Sequence, residues 1–159
     1  VDRHNPGLIL KFGGHAMAAG LSIPQDNFTS FKKAFEKTIK NHLNAEIPTV
    51  ELLTDGKLEA FDISLKNAEI LQQAGPWGQG FEEPIFFGNF DIVEQKVVGE
   101  KHLKCRLKLK GDSQVHDAIA FFQDPIDSKK VQVAYKLSLN IWRGNISLQL
   151  MVEQIDSLQ

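Results

Sequence analysis

The sequence predicts an α+β protein: a short α/β segment, a connecting helix and a five-stranded antiparallel β-barrel. Three observations carry this expectation. Up to Ala74 the apolar side chains recur at spacings of three and four, the period of a helix face. Beyond Pro84 they alternate as along a strand, and no convincing helix period returns. The alternating part holds five segments separated by glycine-containing turns.

The chain has 159 residues, 42% of them hydrophobic and 24% charged, which suits one domain or two small ones with a real core. No apolar run reaches the roughly 18 residues of a membrane span, and no charged segment followed by an apolar one resembles a secretion signal. The expected compartment is therefore cytoplasmic, with no membrane partner. Cys105 is the only cysteine. An internal disulfide and a cysteine-based metal site are thereby excluded, and core filling is its expected role.

In GGHAMAAG, Gly13 and Gly14 lack a Cβ, so the backbone can turn sharply and bring its N–H groups close to a ligand. His15 to Ala19 read as a short helix whose unpaired N–H groups and positive dipole end would face an anion. Gly20 fits as its left-handed stop, and His15 adds a neutral donor or a positive charge near pH 7. The plainer alternative is a tight turn into a packing helix, with His15 satisfied by a backbone group.

Leu21 to Ile23 is short and apolar enough for a strand, and Pro24 to Asn27 offers helix-start chemistry. Phe28, Phe31, Phe35, Ile39 and Leu43 then form one stripe of an amphipathic helix, with Lys32, Lys33, Lys37 and Lys40 largely off it as a solvated flank. Asn44 to Gly56 reads as a connector, broken by Pro48 and the Asp55-Gly56 turn around the apolar run Val50 to Leu53. A second helix is expected over Ile63 to Ala74, with Leu65, Ala68, Ile70 and Leu71 apolar and Gly75-Pro76 as its stop.

The five strand candidates are Ile85 to Val98, Leu103 to Lys110, Val115 to Phe122, Val131 to Leu139 and Ile146 to Ile155. Gly99-Glu100, Gly111-Asp112 and Gly144-Asn145 supply hairpin turns, and Gln123 to Lys130 is long enough for a loop or a short helix. The first segment is too long to be straight, and Gly88 marks its expected bend. A curled five-stranded antiparallel barrel of this size is what an oligonucleotide-binding (OB) fold requires.

The second strand candidate is the clearest surface in the chain. Leu103, Cys105, Leu107 and Leu109 alternate with Lys104, Arg106, Lys108 and Lys110. One face enters the barrel and the other presents four positive charges at a repeat of about 6.6 Å, near the spacing of phosphates along an extended single strand. Net charge is −2 overall, yet Lys96 to Lys110 carries six basic residues against Glu100, leaving 12 basic and 19 acidic residues elsewhere. Lys101 and His102 extend this stripe. The alternative is a lysine-guarded edge strand. Trp77, Phe81, Phe87, Phe122, Tyr135 and Trp142 are candidates to stack on unpaired bases, with Trp142 beside Arg143 preferred and Trp77 next.

No catalytic apparatus is complete. His4, His15, His42, His102 and His116 are scattered, and none pairs with another at the i, i+4 spacing of a helical metal site. There is no GxSxG elbow, no GxxxxGK[ST] loop and no Asp-His-His triplet. The chain begins at Val1 and reaches GGHAMAAG within a dozen residues, too few to build a phosphate site, so a C-terminal piece of a longer protein is expected.

GGHAMAAG resembles the GGH motif of the DHH-associated domain, the second half of the DHH-family phosphoesterases. GLILKFGGHAMAAGLSI and, further on, AGPWGQGFEEPIF from Ala74 to Phe86 are similar in particular to the bacterial single-strand-specific exonucleases of that family. The resemblance implies residues 1–45 as the end of a DHH-associated domain, 46–80 as a connector with a helix at about 63–74, and 81–157 as an OB-fold nucleic-acid-binding domain. It implies a parent 5′ to 3′ exonuclease of DNA repair and recombination, whose N-terminal DHH half holds manganese or magnesium. Gly13, Gly14 and His15 would then hold the phosphate beside those metals. This chain alone would bind no cofactor and be inactive, its partners being single-stranded DNA and the absent DHH domain. Another DHH-type phosphoesterase, acting on short oligonucleotides or cyclic dinucleotides, shares the GGH signature, but the barrel argues against it because such enzymes generally end with the GGH domain. A protein-docking barrel that meets the acidic tail of single-strand-binding protein is the third reading.

Overall fold

The computed structural model describes residues 1–43 and 51–158, which divide between two units, Val1–Glu51 and Leu52–Gln159. Pro48, Val50 and the expected boundary after residue 45 lie outside the described residues. In the first unit the glycine-histidine motif is a hairpin. Strand β1 (Lys11–His15) turns through Ala16 and Met17 into β2 (Ala18–Ser22), with Gly13 opposite Gly20 and Gly14 opposite Ala19. The helix expected at His15 to Ala19, its anion-binding end and the left-handed stop at Gly20 are all corrected by this pairing. Five residues are too few to offset the cost of helix nucleation, whereas a hairpin pairs the backbone groups of the whole motif. A Cβ on Gly14 would stand 2.5 Å from the Ala18 oxygen and 2.6 Å from the Ala19 Cα, so Gly14 permits the close approach of the two strands. The strand expected at Leu21 to Ile23 is the end of β2. Helix α1 (Phe28–His42) follows a 3-10 turn at Gln25–Asn27, as the apolar stripe predicts.

In the second unit, α2 (Leu65–Ala74) starts at Ser64, whose side chain accepts a hydrogen bond from the Asn67 N–H at 3.3 Å, an ordinary N-cap. Gly75 ends it in extended backbone instead of the left-handed conformation. The barrel consists of β3 (Phe86–Val98), β4 (His102–Leu109), β5 (Val115–Ala120), β6 (Lys130–Trp142) and β7 (Asn145–Ser157). It closes in the order β3-β4-β5-β7-β6. The expectation of a wholly antiparallel barrel is corrected at one seam, where Ala118 to Ala120 on β5 runs parallel to Leu150 to Val152 on β7. The reason is arithmetic. A ring of five strands cannot alternate direction all the way round, so one neighbouring pair must be parallel.

The bend expected at Gly88 lies instead at Val93, where the register with β4 shifts between Ile92 and Glu94. Gly88 makes room for a ring: a Cβ there would stand 3.0 Å from Phe90 and 3.3 Å from Leu109. The β6–β7 turn centres on Arg143 and Gly144, both at positive φ, one residue earlier than expected. Between β5 and β6 the chain is a loop, not a helix. It is held by the Gln95 amide, which donates to the Ile126 carbonyl at 2.7 Å and accepts from the Ile126 N–H at 3.0 Å, as a neighbouring strand would.

Alternation along the strands builds the core. Leu103 and Leu107 of β4 meet Val131, Val133 and Tyr135 of β6 and Leu150 of β7, all fully buried. Cys105 is buried with them, and burial pushes its thiol pKa up to about 11. The Tyr135 ring meets Phe90 edge-on at 5.5 Å. On the outer side of β6, Lys136 lies 3.0 Å from Glu153 and 3.4 Å from Glu83. Burial works against its charge, but the two carboxylates outweigh it and hold the ammonium pKa above the usual lysine range. Among the described residues no helix is long and apolar enough to cross a membrane.

Candidate nucleic-acid interface

The β4 face takes the form that its alternation predicts. Leu103, Cys105 and Leu107 are buried, while Lys104, Arg106 and Lys108 stand on the outside of the barrel. Because β4 pairs on both sides, with β3 and with β5, it is an interior strand. Edge protection is therefore not what its lysines do. Register then adds what sequence reasoning missed. Arg106 stands opposite Glu94 on β3 and Asp117 on β5, and Lys108 stands opposite Asp91. The Arg106 guanidinium approaches Glu94 at 3.7 Å, and the Lys104 ammonium approaches Asp117 at 3.5 Å. Such partly exposed pairs contribute about 0–1 kcal/mol. A phosphate can thus compete for these cations.

The two ends of β4 hold three further candidates, and the others lie elsewhere. At its start, His102 follows Lys101 and Glu100, the latter at φ +65° in the turn. At its far end, Lys110 lies in the turn toward β5. Trp142 and Arg143 occupy the β6–β7 tip, the guanidinium 5.5 Å from the indole ring centre. Trp142 is 66% exposed, with exposed Ile141 and Ile146 beside it. The Trp77 ring stacks on Phe81 at 4.8 Å and donates its indole N–H to the Leu71 carbonyl at 3.0 Å, so local packing already engages one face. Phe87 carries Lys57 over its ring at 5.3 Å. Tyr135 is removed from the stacking candidates, since it is fully buried and its hydroxyl has no hydrogen-bond partner.

In the first unit, Gly13, Gly14 and His15 line an open cavity of about 1190 Å³ together with Phe12, Phe31 and Phe35. His15 accepts the Met17 N–H at its Nδ1, 3.2 Å away, which leaves Nε2 to carry the proton of the neutral ring as a free donor. A Cβ on Gly13 would meet nothing within 4 Å, so the space above this residue, beside the cavity, is open. His4 and His42 line a separate pocket of about 470 Å³ with Lys37, Thr38 and Asn41, away from the glycine-histidine motif. His116 points into the barrel with Nε2 unpartnered; burial lowers its pKa, and the nearby Asp112 charge opposes that only in part. Among the described residues no three His, Cys, Asp or Glu side chains cluster to hold a metal ion.

A closed five-stranded barrel in this strand order, with one parallel seam and a basic second strand, is an OB-fold domain. A family model described as "RecJ OB domain" matches residues 54–154, and the chain belongs to that family. It is 41% identical to the single-stranded-DNA-specific exonuclease RecJ of Escherichia coli over 98% of its own length and 28% of that protein's. The RecJ of Haemophilus influenzae is likewise 41% identical, over 99% and 29%. A crystal structure of RecJ in complex with Mg2+ from Thermus thermophilus superposes with a TM-score of 0.61 at 23% identity, covering 99% of this chain and 24% of that one. That likeness shows the fold. The chain thus spans under a third of the length of the relatives it matches.

Proposed function

We propose that this chain is the strand-gripping C-terminal part of a 5′ to 3′ single-stranded-DNA exonuclease of DNA repair and recombination. The observation that carries it is the outer face of β4: Lys104, Arg106 and Lys108 on an interior barrel strand, running from Lys101 and His102 to Lys110. A single strand laid along this face exchanges weak carboxylate pairs for phosphates, without base readout. Trp142 and Arg143, on the β6–β7 hairpin, offer a further cation and aromatic face to the strand.

On this reading Gly13, Gly14 and His15 position the phosphate to be cleaved, with His15 Nε2–H as a donor and Gly13 and Gly14 keeping the approach free of side chains. A DHH domain elsewhere in the parent supplies the metals, manganese or magnesium, and hydrolysis needs both parts. Metals in two related crystal structures support the metal requirement of the parent. The compartment proposed is cytoplasmic.

The test is fluorescence anisotropy of labelled single-stranded and duplex DNA at two salt concentrations. The single strand is expected to bind preferentially and with steep salt dependence. Replacing Lys104, Arg106 and Lys108 by alanine should weaken binding and flatten the salt slope by about 2, near 0.7 per phosphate contact. Undiminished binding by that variant would remove the assignment. Docking of an acidic peptide is the second reading, favoured by exposed Ile141, Trp142 and Ile146 at the β6–β7 tip. It predicts that an acidic peptide, and not the oligonucleotide, loses affinity when Trp142 becomes alanine.

A further inference from the structure

At the start of β4, three rings from two distant stretches of sequence meet on the barrel's outer surface. His102 lies 4.9 Å from Phe121 and 5.0 Å from Phe122, nearly perpendicular to both. Its Nδ1 accepts the Phe122 N–H at 3.2 Å. Phe121 follows inward-facing Ala120, which is paired with Leu103, so Phe121 and His102 share the outer face with Lys104.

Two features of this trio are not explained by packing. Phe122 holds φ at +54°, a conformation costly for a bulky residue. Burial does not compensate that strain, because Phe122 is 78% exposed and Phe121 49%. The backbone is thus bent to keep two aromatic rings in water, at the head of a cationic track. A flat apolar surface beside positive charge complements an unpaired base on its phosphate backbone, whereas a duplex hides its base faces.

We propose that Phe121 and Phe122, held by His102, form a stacking site for one unpaired nucleobase at the Lys101 end of the β4 track. The site rests on the single-strand reading above. It adds a requirement for bases to a surface otherwise argued to read only phosphates.

The test compares the full 159-residue chain binding a fluorescent oligothymidylate and an equally long abasic oligonucleotide at one salt concentration. Wild type should bind the base-bearing strand about tenfold more tightly, as one stacked base allows. The Phe121→Ala/Phe122→Ala variant should lose that preference while binding the abasic strand as before. Phe122→Leu keeps apolar bulk without an aromatic face; it should lose most of the preference even if the alanine variant unfolds, and a full preference in it overturns the site. Equal, salt-sensitive binding of both strands by wild type overturns the stacking site and leaves the phosphate track standing. Binding of neither strand overturns both.

Discussion

The first unit and the barrel use apolar side chains in opposite ways. None of the described residues of Val1–Glu51 is buried, although Phe12, Leu21, Phe28, Phe31, Phe35 and Ile39 gather on one hairpin and one helix face. The second unit, Leu52–Gln159, little more than twice that length, seals a continuous core in its barrel from Phe90 to Leu150. A two-stranded hairpin and a 15-residue helix are each marginal in water without a partner. The first unit therefore has the composition of a folded domain but not its interior. Its aromatic stripe lines an open cavity beside His15, while the barrel encloses its own apolar side chains.

The largest expected consequence is in hydrogen exchange. Amides of β4, β6 and β7 should exchange only through global unfolding of the barrel, and those of β1, β2 and α1 orders of magnitude faster. Comparable protection in α1 would break the contrast. A matched pair of substitutions sharpens it: Leu107→Ala should cost about 2–5 kcal/mol in urea unfolding, by the loss of buried contacts and the cavity left. Leu21→Ala, on the exposed hairpin, should stay within about 0.5 kcal/mol.

Acid should separate the regions further. Burial keeps the folded His116 pKa below its ordinary value. The unfolded chain therefore takes up the proton first as pH falls. Barrel stability should be full above about pH 6.5 and decline below it, by no more than about 1.4 kcal/mol per pH unit for this one proton. His116→Gln should flatten that decline in chemical unfolding curves, and an unchanged slope would place the acid sensitivity elsewhere. The smallest expected effect is on the surface. Asp117→Asn frees Lys104 and should change stability by under 1 kcal/mol. In the anisotropy assay it should tighten single-strand binding, since one competing carboxylate is gone.

Much of the barrel was legible because alternation is local: Leu103 to Lys110 announces both its buried and its charged face without reference to any other strand. Five strand positions and α1 follow the same logic. The glycine-histidine motif misled as to structure because Ala16 to Ala19 are good helix formers singly, whereas pairing Lys11–His15 with Ala18–Ser22 satisfies more backbone groups than one helical turn. The site was only half visible. Glu94 and Asp117 are unremarkable in sequence and become partners of the β4 cations through register alone. Phe121 was passed over because its meeting with His102 requires two strands to be in place.

By itself, then, the sequence determined where the strands and α1 lie, which face of each is apolar, the position of the GGH motif and the charge along β4, since these depend on residues a few positions apart. Tertiary structure alone decided the parallel β5–β7 seam, the acidic partners of the basic track, the burial of Tyr135 and the aromatic trio at Phe122. Each of these is a contact between segments far apart in the chain. Such contacts are selected by closure of the whole barrel, and no local pattern encodes them.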